Sequence, residues 1–371
     1  MFTDADHRHM AAALRAAEGV RHLTRANPRV GCVLVRDGQV LGVGATQPPG
    51  QAHAEVMALN QAVDAQGATA YVTLEPCNHV GRTPPCVDAL INAGVTRVVC
   101  AAVDPNPQVN ARGIERLRES GIQVDVGLLA SQAEALNPGF IRRMTGGHPW
   151  VTLKLACSLD GATAMANGQS QWITGPAARA EVQRMRACSG AIVTGIGTVL
   201  ADDPAMNVRW DEAGLSPEPL KSEQQPLRVV MDRHARTPAN SRWINIPGDK
   251  LLAYQDASDP VLESLARPDV ELLSLQSVTP GALLHALSDR QVNEVLVEAG
   301  PTLAGAWMAS GLVDRLAIFQ APLLMGSQTR PLMHTPNLTS LSQAWKLQLQ
   351  AHRTIGVDQY FEYSVENHET E

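Results

Sequence analysis

Apolar positions along this chain fall into short continuous runs separated by stretches of helical period, the pattern of strands alternating with covering helices. Residues 6 to 24 gather Ala, Leu and Met on one face and predict an opening helix. Gly31-Cys32-Val33-Leu34-Val35 and Gln39-Val40-Leu41-Gly42-Val43-Gly44 predict two strands around Arg36-Asp37-Gly38, a hairpin signal. The stretch from Ala52 to Leu59 predicts the opening of a helix after the turn-rich Gln47-Pro48-Pro49-Gly50. A strand is expected over Ala70 to Leu74, then a second helix from Cys86 to Ala93, opened by Pro84-Pro85 and stopped by Gly94. The alternation continues through Arg97 to Ala102 (strand), Gly113 to Ser120 (helix) and Gln123 to Val126 (strand).

The pattern breaks near Thr145-Gly146-Gly147-His148-Pro149 and restarts with the strand Trp150 to Ala156. Two α/β domains are expected, residues 1–147 and 148–371, each with helices covering a sheet. In the second half, strands are expected at Ala191 to Thr194, Arg228 to Asp232 and Val292 to Val297, with a helix from Pro176 to Ala187. Residues 211 to 226, rich in Pro, Glu, Ser and Gln, read as a surface loop, and no internal repeat is visible.

Composition narrows the function classes. A hydrophobic content of 44% and mean hydropathy of -0.10 describe an ordinary globular chain. Thirty Lys and Arg against 37 Asp and Glu give a formal charge of -7, which disfavours an electrostatic grip on nucleic acid. The start has no apolar leader core, and no run of about 18 apolar residues points to a membrane. Thiols kept free for a metal favour a reducing compartment, so a cytoplasmic location is expected. Homo-oligomerisation is left open.

The chemistry concentrates in His53-Ala54-Glu55, Pro76-Cys77 and Cys86. One imidazole and two thiolates can hold zinc while its fourth position stays open for water. On a helix, residues two apart point to different sides, so His53 suits a ligand and Glu55 a neighbouring proton carrier. The order H-x-E then P-C fits hydrolytic deaminases of nucleobase-like rings, although Cys86 follows Cys77 by nine residues instead of completing a C-x-x-C. Cys86 at a helix start would have its thiolate favoured by the dipole. The bland alternative is a closed structural zinc site; it would need a fourth protein ligand, for which His79 is the candidate, and would not need Glu55. Lining the pocket is the other role open to His79. Cys32, Cys100, Cys157 and Cys188 lie singly in apolar surroundings and are expected to be buried and inert.

In the second half, Glu298-Ala299-Gly300-Pro301-Thr302-Leu303 turns a strand into a helix closed by Gly311. Glycine before a helix start lets backbone N–H groups approach a phosphate. Gly195-Ile196-Gly197-Thr198 makes a similar turn, but Leu200 occupies the place of a third glycine, so neither is a full dinucleotide fingerprint. Arg186 and Arg209 are candidate phosphate clamps, with a solvated surface arginine as the alternative for each.

Taken in order, the motifs resemble one family over about residues 6 to 363. They are Asn27-Pro28-Arg29-Val30-Gly31, His53-Ala54-Glu55, Thr73-Leu74-Glu75-Pro76-Cys77-Asn78-His79, and Gly81-Arg82-Thr83-Pro84-Pro85-Cys86. Then follow Asp104-Pro105-Asn106-Pro107, Lys154-Leu155-Ala156-Cys157-Ser158-Leu159-Asp160-Gly161 and Ser170-Gln171-Trp172-Ile173-Thr174. Thr198-Val199-Leu200-Ala201-Asp202-Asp203-Pro204 and Glu298-Ala299-Gly300-Pro301-Thr302 complete the series. The family is the bifunctional riboflavin-biosynthesis enzymes, in which a diaminohydroxyphosphoribosylaminopyrimidine deaminase is joined to a 5-amino-6-(5-phosphoribosylamino)uracil reductase.

The resemblance implies a cytidine-deaminase-like three-layer αβα domain followed by a dihydrofolate-reductase-like α/β domain. It implies a zinc ion on His53, Cys77 and Cys86, with Glu55 catalytic. The first domain would hydrolyse the 2-amino group of a diaminopyrimidinone ribosyl phosphate, and the second would use NADPH to reduce the ribosyl chain to ribityl. NADP contacts are implied at Ala156, Trp172, Thr198, Asp202, Gly300, Pro301, Thr302, Leu303, Ala304, Gly305 and Ala306. Substrate contacts are implied at Ser170, Arg186, Met206, Arg209 and Glu298. Arg233 departs from the pattern, since a small residue is usual there beside the cofactor. A zinc deaminase of free nucleosides or of nucleic acid would explain the first domain but not the nucleotide-type turns of the second.

Overall fold

The computed structural model describes every residue except Val80, Arg82, Gln108, 217–224 and 366–371. The chain divides into two compact units, Met1–His148 and from Pro149 onward. No helix among the described residues is long and apolar enough to cross a membrane.

The first unit runs α1 (Asp4–Gly19), β1 (Gly31–Arg36), β2 (Gln39–Ala45), α2 (Ala54–Leu59), β3 (Thr69–Val72) and α3 (Cys86–Asn92). It continues with β4 (Arg97–Cys100), α4 (Arg112–Glu119), β5 (Gln123–Val126), α5 (Ala130–Ala135) and α6 (Pro138–Met144). Thr3 opens α1 with a capping box: its hydroxyl accepts from the Asp6 N–H at 3.2 Å, and the Asp6 carboxylate accepts from the Thr3 N–H at 2.8 Å. The helix ends at Gly19 rather than 24, where glycine and the β-branched Val20 weaken it. The sheet order is β2-β1-β3-β4-β5, antiparallel around β1 and parallel from β3 to β5.

Two glycines show that helices cover both faces of this sheet. A Cβ on Gly31 would stand 1.9 Å from the Ala13 carbonyl oxygen of α1. One on Gly44 would stand 2.0 Å from the Ala54 carbonyl oxygen of α2. Gly44 pairs with Cys32, the residue after Gly31, and successive strand residues point to opposite faces. The arrangement is therefore a three-layer αβα sandwich, with α1 and α2 on opposite sides and backbone seated directly on backbone. The core between the layers is aliphatic, with Leu34, Val72, Leu90, Val98 and Leu117 all buried.

The second unit opens with β6 (Trp150–Ser158), β7 (Ala162–Met165), α7 (Pro176–Cys188), β8 (Ala191–Gly195), α8 (Ile196–Asp202) and α9 (Trp210–Ala213). Next come β9 (Leu227–Met231), α10 (Arg242–Asn245), β10 (Lys250–Tyr254), α11 (Asp259–Leu265), β11 (Val270–Ser274) and α12 (Pro280–Asp289). The last are β12 (Glu294–Glu298), α13 (Pro301–Ala309), β13 (Arg315–Ala321), β14 (Thr329–Pro331), β15 (Leu347–Ile355) and β16 (Asp358–Val365). Nine strands form one sheet in the order β11-β10-β9-β8-β12-β6-β13-β16-β15. All neighbours are parallel up to β13, and the β15/β16 hairpin joins antiparallel at one edge. Both faces are covered: Val193, Val229 and Leu251 pack with Leu283 and Trp307 on one, while Ile192, Val230 and Leu252 pack with Trp243 on the other.

Several boundaries differ from the sequence pattern. The expected loop at 211–226 begins instead as the short helix α9, and residues 217–224 lie outside the described set. Cys188 is only half-buried at the end of α7, unlike the buried Cys32, Cys100 and Cys157, because the helix ends there and exposes part of its last turn.

Candidate active sites

Three side chains converge at the ends of the elements around β3 in the first unit. His53 is the N-cap of α2, Cys77 follows β3, and Cys86 opens α3. The His53 Nδ1 lies 3.5 Å from the Cys77 Sγ and 3.4 Å from the Cys86 Sγ, and all three donor atoms lie within 4.8 Å of one another. Tetrahedral bonds of about 2.3 Å to sulfur and about 2.0 Å to nitrogen put neighbouring ligand atoms about 3.5 Å apart, so this triangle fits zinc. Among the described residues no fourth His, Cys, Asp or Glu joins the cluster. His79 is thus not part of it, and the fourth coordination position is left to water or substrate, as an open catalytic site requires.

Electrostatics separates the roles. Cys77 is lowered to about 4, first by its hydrogen bond with Cys86 and further by His53, whereas Cys86 is pushed up by its partner thiol and by burial. His53 is raised, chiefly by its hydrogen bond to Cys77. Glu55, only 3% exposed, is pushed up to about 7, first by burial and then by the charge of Cys77. A carboxyl held in a dry pocket beside a metal triangle can carry a proton in either direction.

In the second unit, α7 delivers Arg186 to the Glu298 carboxylate at the end of β12. The Nε donates to one oxygen at 2.5 Å and the Nη2 to the other at 3.0 Å. Lys154 of β6 is the ladder partner of Glu298. Burial lowers Lys154, partly offset by Glu298. Burial opposes ionisation of Glu298, but Arg186 and Lys154 outweigh it and hold the carboxyl below its ordinary range. The two glycine turns adjoin: a Cβ on Gly300 would stand 3.9 Å from the Thr198 Oγ1, and one on Gly195 would stand 2.9 Å from the Leu303 Cδ2. Nothing lies within 4 Å of a Cβ on Gly197, so this turn borders open space. The N-cap Gly300 gives α13 no side-chain cap, leaving first-turn N–H groups to a phosphate, which fits a dinucleotide at the ends of β8 and β12.

Comparison with known proteins assigns both units to known families. Residues 3–102 match the family model for the cytidine and deoxycytidylate deaminase zinc-binding region, and residues 149–361 match that for the RibD C-terminal domain. The riboflavin biosynthesis protein RibD of Escherichia coli (strain K12) is 47% identical over 357 residues, covering 95% of this chain and 97% of the relative. This chain belongs to the RibD family of riboflavin biosynthesis proteins. The Haemophilus influenzae RibD is 45% identical, covering 96% of each chain. The solved Acinetobacter baumannii RibD (form 1) superposes with a TM-score of 0.89 at 41% identity, covering 98% of this chain and 99% of that one. A Thermotoga maritima deaminase/reductase superposes with a TM-score of 0.85 at 30% identity, covering 97% and 99%. Membership makes this a bifunctional enzyme of riboflavin biosynthesis, a zinc-binding deaminase and an NADP-dependent reductase acting on small molecules, with a cytidine-deaminase-like first fold and a dihydrofolate-reductase-like second.

Against that RibD framework, the remaining residues fall into distinct settings. Trp172 is 68% exposed, with the Arg179 guanidinium 4.6 Å from its ring centroid. Burial raises Asp202, with Arg330 pulling the other way. Met206 is buried in a left-handed conformation (φ 57°), and Ser170 is half-buried. Ala156 packs beside Phe319, and Arg209 pairs with the neighbouring Glu212. Pro301, Thr302 and Leu303 form the first turn of α13, and Ala306 is exposed. Ala304 and Gly305 face inward: Ala304 is fully buried, and a Cβ on Gly305 would stand 1.8 Å from the His334 carbonyl oxygen. Arg233 is exposed just after β9, where its carbonyl accepts from the Gln255 and Asp256 N–H groups.

The sequence reading passed over two residues. Thr83 sits with its Oγ1 3.4 Å from the His53 Nε2, the ring nitrogen turned away from the thiols, where it can orient the imidazole. Lys154 opens the Lys154–Gly161 motif; the strand period sets it on the face opposite the buried Val151, Leu153 and Leu155, and only the β6–β12 pairing puts it beside Glu298.

Proposed function

We propose that the first domain, residues 1–147, removes the 2-amino group of 2,5-diamino-6-(5-phosphoribosylamino)pyrimidin-4(3H)-one by hydrolysis. The second, residues 148–371, then reduces the ribosyl side chain to give 5-amino-6-(5-phosphoribitylamino)uracil. The observation that carries the reading is the open His53–Cys77–Cys86 triangle with buried Glu55 beside it. When bound there, zinc supplies a Lewis acid that makes a nucleophilic water available near neutral pH. Glu55 takes the proton of that water and returns it to the departing ammonia. Thr83 steadies the His53 ring, and the buried position of Glu55 keeps bulk water from competing for the proton.

NADPH, when bound along the Thr198–Asp202 and Gly300–Ala306 turns, supplies the hydride. Trp172 and Ala156 would flank it. Ser170, Met206, Arg209, Arg186 and Glu298 would hold the ribosyl phosphate, with Arg209 offering its guanidinium to the phosphate and Glu298 accepting from sugar hydroxyls. Lys154, buried beside Glu298, would donate to the sugar oxygen that gains electron density as the chain is reduced. A free small-molecule substrate suits the formal charge of -7 better than nucleic acid would, and the zinc thiolates suit a cytoplasmic, reducing environment.

The test combines metal content, ammonia release from the diaminopyrimidine substrate and NADPH oxidation. About one zinc per chain with both activities is expected; ammonia release from the metal-stripped protein overturns the zinc assignment. A fragment ending near Gly146 should deaminate and one starting near His148 should bind NADPH. Two soluble fragments lacking these properties overturn the division of labour.

A further inference from the structure

Glu75 lies two residues before the zinc-ligand Cys77, buried to 3% exposure, and forms no ion pair among the described residues. Its carboxylate is instead caged by backbone. One oxygen accepts from the Asp104 N–H at 3.1 Å and the Ala111 N–H at 2.9 Å. The other accepts from the Gly113 N–H at 2.9 Å and the Ile114 N–H at 3.4 Å. These donors belong to two places far apart in sequence from Glu75: the start of the segment after β4, and the first turn of α4. The N-cap of α4, Ala111, offers no side-chain acceptor, so a carboxylate from another element satisfies this helix start.

The segment so held is conformationally costly. Asn110 (φ 29°) and Ala111 (φ 67°) are consecutive non-glycine residues in the left-handed region, each disfavoured unless its surroundings over-determine it. Its other end carries Asp104, 7% exposed, whose N–H is one of the four donors to Glu75. The brace continues behind the thiols. A Cβ on Gly113 would stand 2.3 Å from the Pro76 carbonyl oxygen, and Arg116 of α4 joins Asn78 (2.7 Å) to Asp88 on the helix that carries Cys86.

We propose that Glu75 is a positioning residue for deamination, one that holds the Asp104–Pro107 segment and α4 against the Cys77 turn and so sets the width of the substrate pocket. The proposal rests on the deaminase reading of the first domain. Glu75 is not one of the three clustered ligands; it acts through backbone N–H groups whose positions depend on both of its oxygens.

Glu75→Gln tests it, because the amide replaces one acceptor oxygen with an NH2 turned toward backbone donors. In the full-length chain the variant is expected to keep about one zinc and unchanged NADPH oxidation. Amide exchange at Asp104, Ala111 and Gly113 should speed up, and KM for deamination should rise about ten- to a hundredfold, the size expected for lost charge-assisted hydrogen bonds, with a smaller change in kcat. Gly113→Ala, whose Cβ would stand 2.3 Å from the Pro76 carbonyl oxygen and 3.1 Å from the Glu75 Oε1, pushes α4 away with the carboxylate retained and should raise KM in the same direction. A purely structural role would lower the melting temperature while leaving KM of the folded, zinc-loaded protein unchanged, and that result overturns the proposal. So does loss of zinc in step with activity, or failure of both variants to fold. If the wild-type chain releases no ammonia, the deaminase reading itself has failed rather than the role of Glu75.

Discussion

Arg186 and Glu298, 112 residues apart, form a two-pronged ion pair with side chains only 12% and 14% exposed. The arginine does not wait free for a phosphate; it is bound to the carboxylate beside which substrate is proposed to lie. Removing Arg186 leaves the buried Glu298 with Lys154 as its remaining cation, and removing Glu298 leaves two buried cations without their carboxylate, whereas Arg209 and Glu212 pair in the open, at 40% and 42% side-chain exposure.

The two arginines should therefore separate. Arg186→Ala should destabilise the second unit by about 3 kcal/mol and raise KM for the ribosyl phosphate about ten- to a hundredfold. Arg209→Ala should raise KM similarly while changing stability by less than about 1 kcal/mol. Thermal melts and steady-state kinetics at fixed NADPH decide this. A weakened NADPH affinity with unchanged substrate KM would move either arginine to the cofactor side.

Glu55→Gln should retain the fold and about one zinc per chain yet lose deamination by at least about 10²–10⁴, since the amide cannot carry the proton. Reduction of pre-deaminated substrate should be unaffected. Zinc assay and ammonia release read both arms, and near-normal deamination would remove Glu55 from the mechanism.

Gly44 is where α2 sits on β2, with 2.0 Å between a would-be Cβ and the Ala54 carbonyl oxygen. Gly44→Ala should force that helix outward at a cost of about 1–3 kcal/mol. Because α2 carries Glu55 and begins at His53, deamination and zinc affinity should fall together while the reductase reaction stays intact. An unchanged melting temperature in this variant would contradict the close approach.

The first unit should show an acid-sensitive anchor at Asp6. Its carboxylate accepts from Arg97 at 2.7 Å and from the Tyr71 hydroxyl at 2.8 Å. Burial opposes its ionisation, but these partners and the Thr3 cap outweigh that and hold the carboxyl well below its ordinary value. A depressed carboxyl stabilises the fold above its unfolded pKa of about 3.9 and loses that contribution as pH falls toward the folded value. Asp6→Asn should cost about 3 kcal/mol at neutral pH, with the gap to wild type closing below about pH 4. Tyr71 moves the other way: burial and Asp6 push it up to about 12, so its contribution is full below about pH 10 and fades as pH rises toward about 12. Melts of Asp6→Asn and Tyr71→Phe across pH check both signs.

The period of apolar residues located most strands and helices of the first unit, because a buried strand or amphipathic helix must carry its pattern locally; in the second unit it located β6, α7, β8, β9, β12 and α13 and left β10, β11, β13, β15 and β16 unassigned. Missed boundaries lie where tertiary contacts end an element. β3 stops at Val72, two residues short of the expected end, as the chain turns toward the thiols. The spacing of His53, Cys77 and Cys86 was legible as zinc chemistry because ligand type and order survive without coordinates. The role of their partner Thr83 was not, since its place in the Gly81–Cys86 motif does not say that its hydroxyl faces the His53 ring.

Residue chemistry alone determined which groups this chain can bring to a reaction: two thiols, an imidazole and an adjacent carboxylate, then glycine turns at strand ends with scattered arginines. Tertiary structure alone decided what those groups face. It put Arg186 on Glu298, Lys154 beside both, Ala304 and Gly305 inward, and the Glu75 carboxylate under the N-terminus of α4. Strand register and helix placement set those neighbours, and they depend on packing between residues tens to more than a hundred positions apart, which no local pattern records.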